Sequence, residues 1–323
     1  VNAAREEAQA SAADLQTASL SLHAELALDY FELRSADAQK QLLDDTVKAY
    51  TDALKLTQDR FSNGASPKSD VAQAQTQLDG ARVQDTDVTV MRAQYEHAIA
   101  TLIGKPPASF SISFEPHSPL KLAAIPVGLP ASLLERRPDI AATERRVAEA
   151  NEQIGIARAA YYPSLTLDAA AGFEGNTIAN VFNWPSRFWA VGPQMSQTIF
   201  DGGRRRAVSE SATANYDGTV AAYRQATLTA FQEVEDNLAA LRILEREAQQ
   251  QEEGTASASE SLQLFTDRYQ GGVDNYLQVI TAQTVLLANE RNDIDLQRRR
   301  MDATVLLVKA VGGGWDTTQL PKL

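Results

Sequence analysis

The sequence predicts a mainly α-helical fold that carries one short, membrane-type β part. Three observations predict it. Long stretches rich in Ala, Leu, Gln, Glu and Asp run without proline or glycine. The stretch from Tyr161 to Gly203 switches to period-two alternation. A single offset of 208 positions aligns two distant parts of the chain, the mark of an internal duplication.

Taken in order, Val1 to about Phe61 reads as one helix. Sixty helical residues span roughly 90 Å, more than an ordinary domain is wide, so this helix needs partners along its length. Ser62-Asn63-Gly64 breaks it, and Ser66 with Pro67 is expected to cap and open the next helix, which runs to about Ile103. Gly104 and Pro106-Pro107 end that helix. Residues 1–104 thus form a first helix pair, and 105–137 a proline-rich linker element with a short alternating piece at Ser111 to Phe114. A helix over 138–162 follows, then the β stretch at 163–203. The second helix pair, 204–311, is expected to weaken at Gly254 and to turn at Gly271-Gly272; 312–323 form a tail.

In the β stretch, Leu165 and Leu167 share one parity, and so do Trp189, Val191, Met195 and Ile199. Ser164, Thr166, Gln194, Ser196 and Thr198 take the other. That is a strand pair with one apolar and one wet face. Each segment has about ten residues, the length that crosses a bilayer in a barrel. Tyr161, Tyr162, Trp184 and Phe188 lie near the segment ends, where aromatic rings favour a membrane interface. Alone, the residues also allow an ordinary hairpin with core aromatics.

The offset places LKLTQDRFSNG at Leu54–Gly64 on LQLFTDRYQGG at Leu262–Gly272. It pairs Ala74-Gln75-Thr76 with Ala282-Gln283-Thr284, Leu33-Arg34 with Leu241-Arg242, and Gly104 with Gly312. The β stretch precedes the second copy. Its counterpart for the first would fall before Val1, so a strand pair of the first copy is expected upstream, four strands in all. Val1 opens inside a helical pattern without Met or a leader, which the duplication reads as a missing N-terminal part.

Composition narrows the function. The 323 residues carry a net charge of −12. An acidic chain without a basic stripe argues against a nucleic-acid partner; the triplets Arg204–Arg206 and Arg298–Arg300 read as solvated helix faces. There is no cysteine, and the three histidines, His23, His97 and His117, are scattered. Neither a thiolate nucleophile nor a metal-ligand spacing is present, and no cofactor is expected. Gly202-Gly203 lacks the context of a phosphate-binding loop. No run of 18 apolar residues occurs. The sequence predicts no enzyme.

Four motifs, LPASLLERRPDI at Leu129–Ile140, IGIARAAYYPSLTL at Ile154–Leu167, FWAVGPQMSQTIFDGGRRRA at Phe188–Ala207 and DRYQGGVDNYLQVITAQ at Asp267–Gln283, are long and in order. Together they resemble the outer-membrane factors of Gram-negative bacteria, the TolC/NodT-like exit ducts of tripartite efflux pumps. The resemblance implies a homotrimer that builds one twelve-stranded outer-membrane β-barrel, four strands per copy. Long antiparallel helices would continue the duct through the periplasm as an α-barrel, wrapped by a smaller mixed region. It implies a periplasmic adaptor and an inner-membrane pump as partners. NodT-like members usually begin with a signal peptide and a lipid-bearing cysteine, neither of which lies in this stretch.

Further roles follow from that resemblance. Leu165, Leu167, Trp189, Val191 and Met195 would face outer-membrane lipid. The turns at Asn63-Gly64 and Gly271-Gly272 would be the adaptor-facing tips. The family's closing links fall on Arg268 and Tyr269. Asp70 matches a carboxylate of its constriction, where threefold symmetry makes a negative ring. The family often has Asp in an LLDAQ context; here VITAQ puts Thr281 there, one ring fewer. Asp274 is either a further gate residue or the cap of the last helix. A protein-secretion duct on the same fold and a soluble coiled-coil protein are the remaining alternatives.

Overall fold

The computed structural model describes residues 1–116, 136–175, 182 and 184–321. Helices α1 (Asn2–Ser62), α2 (Lys68–Leu102) and α3 (Pro138–Ala159) precede strands β1 (Ser164–Phe173) and β2 (Arg187–Ser196). Helices α4 (Arg204–Gln270) and α5 (Tyr276–Ala310) follow, and short 3-10 turns lie at Pro107–Ser109, Trp184–Ser186 and Thr317–Gln319. Among the described residues no helix is long and apolar enough to cross a membrane.

The duplication is built into the backbone. Helices α1 and α4 end at Ser62 and Gln270, while α2 and α5 start at Lys68 and Tyr276 and end at Leu102 and Ala310, always 208 positions apart. Gly64 and Gly272 take φ 72° and 74°, the left-handed conformation that lets each turn reverse at no steric cost. The turn bonds repeat too. The amide of Ala65 donates to the Arg60 carbonyl at 2.8 Å, and that of Val273 to the Arg268 carbonyl at 2.9 Å.

Contacts divide the chain into two units, Val1–Leu15 with Pro138–Leu228 and Thr317–Leu323, and Gln16–Arg137 with Thr229–Asp316. In the first, β1 and β2 pair antiparallel from Ser164↔Ser196 to Phe173↔Arg187. Gly172 lies under Phe188, whose Cε1 would be 2.9 Å from any Cβ there. Asp201 leads into α4, accepting bonds from the amides of Gly203 (3.0 Å) and Arg205 (3.1 Å). Helix α3 is held to the start of α1 by Arg145–Glu6 at 3.1 Å and by Arg146–Asp14.

In the second unit α1 and α2 run antiparallel: Tyr50 meets Gln77, Lys40 meets Asp85, and Asp37 meets Arg92. Small residues such as Ala36, Ala74, Ala81 and Ala100 are buried along these helices. A core cluster joins Tyr50, Leu54, Leu78, Tyr269, Tyr276 and Val279 across the two repeats. Asp37 is fully buried, bound by Arg34 (2.8 Å) and by Arg92 (2.6 Å). These arginines also donate to the carbonyls of Ser113 and Ile112, fixing the chain after α2.

Some expectations are corrected. Helix α4 runs unbroken through Gly254, since a single glycine weakens a helix by about 1 kcal/mol but does not end it. Nearby, Gln251 donates to Asn289 Oδ1 at 2.9 Å. Ser66 does not cap α2; Pro67 is its N-cap, and the Ser66 hydroxyl turns back to the Thr57 carbonyl. Strand β2 stops at Ser196, leaving out Thr198 and Ile199, since its partner ends at Ser164 beside Pro163, which has no amide to offer. Residues 111–114 have no strand partner among the described residues. His117, residues 117–135 of the linker with the first part of the Leu129–Ile140 motif, and most of the turn between the strands lie outside the described residues.

Candidate functional site

The turn between α4 and α5 gathers most of the expected gate residues. Arg268, on the last turn of α4, reaches across the glycine turn to Asp274, with Nε to Oδ2 at 2.6 Å and Nη2 to Oδ1 at 3.2 Å. The fork-to-carboxylate geometry gives two charge-assisted bonds. The hydrogen bond from Arg268 holds the Asp274 carboxyl below its ordinary range. Asp274 is therefore engaged across the turn and does not cap α5; Asn275 takes the cap position without a side-chain bond.

Tyr269, one residue on, points the other way and is buried. Its ring lies 5.2 Å from that of Tyr276. The guanidinium of Arg60, from the end of α1, covers it at 4.6 Å, while Arg60 Nη1 donates to the Gln270 carbonyl at 3.0 Å. Burial, then the neighbouring Tyr269, push the Tyr276 hydroxyl up to about 12, against a hydrogen bond with Thr57. It stays a neutral donor in any physiological medium. Asp70 stands beside this group: burial raises its carboxyl, while Ser69 and the Arg60 charge oppose the rise.

Thr281 is not brought into this set. It is exposed and its hydroxyl donates to the Leu277 carbonyl of its own helix at 2.9 Å. The turn residues Asn63, Gly64, Gly271 and Gly272 are all exposed. The Asn63 amide closes its own turn on the Asp59 carbonyl at 2.8 Å. Arg60, Thr57 and Tyr276 were missed as site residues. The signal for Arg60 was present, since the 208-residue offset makes it the mate of Arg268.

In the β-hairpin the register brings Leu165 opposite Met195, Leu167 opposite Pro193, Ala169 opposite Val191 and Ala171 opposite Trp189. Residues directly opposite share a face. The five expected apolar residues therefore form one surface, and each is at least 61% exposed. The other face carries Ser164 against Ser196 and Thr166 against Gln194.

Comparison with known proteins gives one family. The chain matches the family described as outer membrane efflux protein over residues 1–105 and 129–313. It is 38% identical to the toluene efflux pump outer membrane protein TtgF of Pseudomonas putida over 315 residues, 97% of this chain and 65% of that one. It is 35% identical to the outer membrane protein OprJ of Pseudomonas aeruginosa, covering 98% and 66%. The solved outer membrane protein VceC of Vibrio cholerae superposes with a TM-score of 0.88 at 29% identity, covering 98% of this chain and 75% of that one. The chain thus spans just under two thirds of the length of these curated relatives.

Proposed function

Because this chain belongs to the outer membrane efflux protein family, we propose that it is the outer-membrane duct of a tripartite efflux system in a Gram-negative bacterium. It carries small toxic compounds, organic solvents and drugs among them, out of the periplasm. A periplasmic adaptor and an inner-membrane pump work with it. The duct itself is passive and catalyses no reaction.

The β-hairpin carries this reading. An apolar face of Leu165, Leu167, Trp189, Val191 and Met195 is exposed among the described residues and suits lipid. The opposite face of serines, threonines and Gln194 suits a water-filled lumen. A two-stranded sheet has two unpaired edges, which lipid does not tolerate. Three protomers of four strands each share one twelve-stranded barrel and satisfy every edge, and the long helices continue the duct into the periplasm.

The turns at Asn63-Gly64 and Gly271-Gly272 face the adaptor in this reading. Arg268, Asp274 and Tyr269 hold the periplasmic end closed, with Asp70 and Thr281 lining the constriction. Opening follows from tighter binding of adaptor to the open state.

Two measurements test it. In planar bilayers the full protein is expected to give discrete conductance steps. In a strain lacking its own outer-membrane duct, with matching adaptor and pump supplied, it is expected to restore growth on toluene or a pump substrate. Stable insertion with neither conductance nor resistance would overturn the proposal.

A further inference from the structure

The triplet Arg204–Arg206 stands where a helix favours cations least. The first turn of α4 holds these arginines and no acidic residue, although the N-terminal end of a helix already carries positive partial charge. Only Arg205 is firmly paired. It turns back to Asp201, with Nε to Oδ2 at 2.6 Å, and its guanidinium lies 5.4 Å from the centre of the Tyr161 ring. Arg204 is exposed, and its side chain has no ion-pair partner among the described residues. Arg206 meets Glu210 with both side chains in solvent, where such a pair adds little.

The pairing of Ser164 with Ser196 sets the two helix-to-strand junctions side by side. Arg158, in the last turn of α3, is also exposed there. Residues 158–163 and 197–210 together hold four arginines against two carboxylates, a net +2 on a chain of −12. Between these cations and the strands the surface is apolar. Tyr162, Ile199 and Phe200 are each at least 74% exposed, and this surface leads on to the exposed Leu165 and Met195 of the apolar strand face. From the strands outward the order is therefore aliphatic face, large exposed rings and Ile199, then arginines.

We infer that this junction binds the headgroup of an anionic phospholipid, with phosphatidylglycerol as the simplest case. The inference rests on the duct reading, which puts the helix-bearing end of the hairpin at the periplasmic surface of the outer membrane. Tyr162, Ile199 and Phe200 sit at the boundary of headgroups and acyl chains, the level that amphipathic rings favour. Arg158, Arg204 and Arg206 then reach the phosphate, to which a guanidinium donates two parallel N–H···O bonds. A zwitterionic headgroup brings its own ammonium to that phosphate, so the excess of arginine selects for net negative charge. Each cation near an anionic surface raises affinity about fivefold. The bound phosphate also offsets the positive end of α4.

The test uses the full protein, purified in a neutral detergent and titrated with phosphatidylglycerol or phosphatidylethanolamine of the same acyl chains. Native mass spectrometry counts the lipids retained. Phosphatidylglycerol is expected to be retained at least about fivefold better, and the preference should fade as salt rises. The combined variant Arg158→Gln, Arg204→Gln and Arg206→Gln is expected to lose the preference, and lysine at the same three positions to keep part of it. Arg187→Gln, at the other end of the same hairpin, should leave it unchanged. Equal retention of the two lipids by the wild type overturns the inference, and that comparison needs no variant to fold. An undiminished preference in the glutamine variant also overturns it. So does displacement of the lipid by inorganic phosphate at matched ionic strength, since the site would then hold a free anion. Conductance of the same preparation in planar bilayers reads the duct assignment separately: channels without a lipid preference sink this inference alone.

Discussion

The guanidinium of Arg60 lies 4.6 Å over the ring of Tyr269, tying the end of α1 to the end of α4. The same side chain donates to the Gln270 carbonyl. A cation over an aromatic face contributes about 0.5–2 kcal/mol, and a charged hydrogen bond about 1.5–3. Arg60 is partly exposed, which lowers both. Arg60→Ala is expected to destabilise this end by about 2 kcal/mol. Amide exchange over residues 262–280 should accelerate more than tenfold, and Arg60→Lys should fall between. Exchange rates unchanged in Arg60→Ala would mean the contact holds nothing.

Arg268 and Asp274 form the counterpart in the second repeat, and conductance tests the gate role proposed for them. Arg268→Ala and Asp274→Asn are each expected to raise resting conductance in planar bilayers. The double variant should equal either single, because both remove one bond pair. The Asp274 carboxyl is held below its ordinary range by Arg268. The bridge is therefore intact at neutral pH and lost as pH falls through that lowered value. Wild type should show an added conductance step in acid that Asp274→Asn lacks. A wild-type profile flat down to the acid limit would separate the pair from gating.

Much of this was legible in the sequence because glycine and period are local signals. The 208-residue offset fixed both turns and all four long-helix ends, since left-handed glycines stop helices wherever they stand. Strand faces were legible for the same reason: alternation alone assigns them. What escaped depends on contacts between distant residues. Gly254 reads locally as a helix weakness, but its helix runs through it, with Gln251 and Thr255 on either side bonded to Asn289 and Asp293 of α5. Asp274 reads locally as a cap, yet a guanidinium six residues away wins it. Tyr276 and Thr57 lie inside the quoted segments, but nothing in the sequence sets them apart from their neighbours there, and only the fold brings them together.

Asp37 supplies a test of the linker's anchorage. It is buried and accepts from Arg34, Arg92 and the Glu115 amide. Removing one partner of a buried ion pair strands the others and costs about 3–5 kcal/mol. Asp37→Ala should lower stability by that order. It should also expose Phe110 and Phe114 to chymotrypsin, while the helical core stays resistant. Cleavage no faster than wild type would show that other contacts hold this segment.

Asp302 makes stability depend on pH in the opposite sense to a typical carboxylate. Burial raises it to about 6, against the attraction of Arg298. The folded chain therefore holds this proton more tightly than the unfolded one. The group's contribution is full in acid and is lost as pH rises from about 4 to about 6. Asp302→Asn mimics the protonated form, and Arg298 keeps Glu32 at 2.7 Å and Asp295 at 2.8 Å. Relative to wild type the variant should gain roughly 2 kcal/mol across that window, then run parallel above it. Melting temperatures at stepped pH would read this; a constant difference would place the titration elsewhere.

The hairpin offers the sharpest contrast, because adjacent residues carry opposite predictions. Leu167 pairs with Pro193 on the apolar face, and Thr166 pairs with Gln194 on the polar one. In a bilayer an arginine at a lipid-facing midplane position costs about 2–4 kcal/mol, while a lumen-facing one stays in water. Leu167→Arg should therefore reduce membrane assembly strongly, and Thr166→Arg should assemble normally but alter ion selectivity. The charge added is the same, and the positions differ by one residue, so general toxicity or misfolding of arginine variants cannot explain a difference. Equal assembly of the two would mean that the face of Leu165, Leu167, Trp189, Val191 and Met195 meets protein and not lipid. The exposure seen in the single chain would then mark a subunit contact.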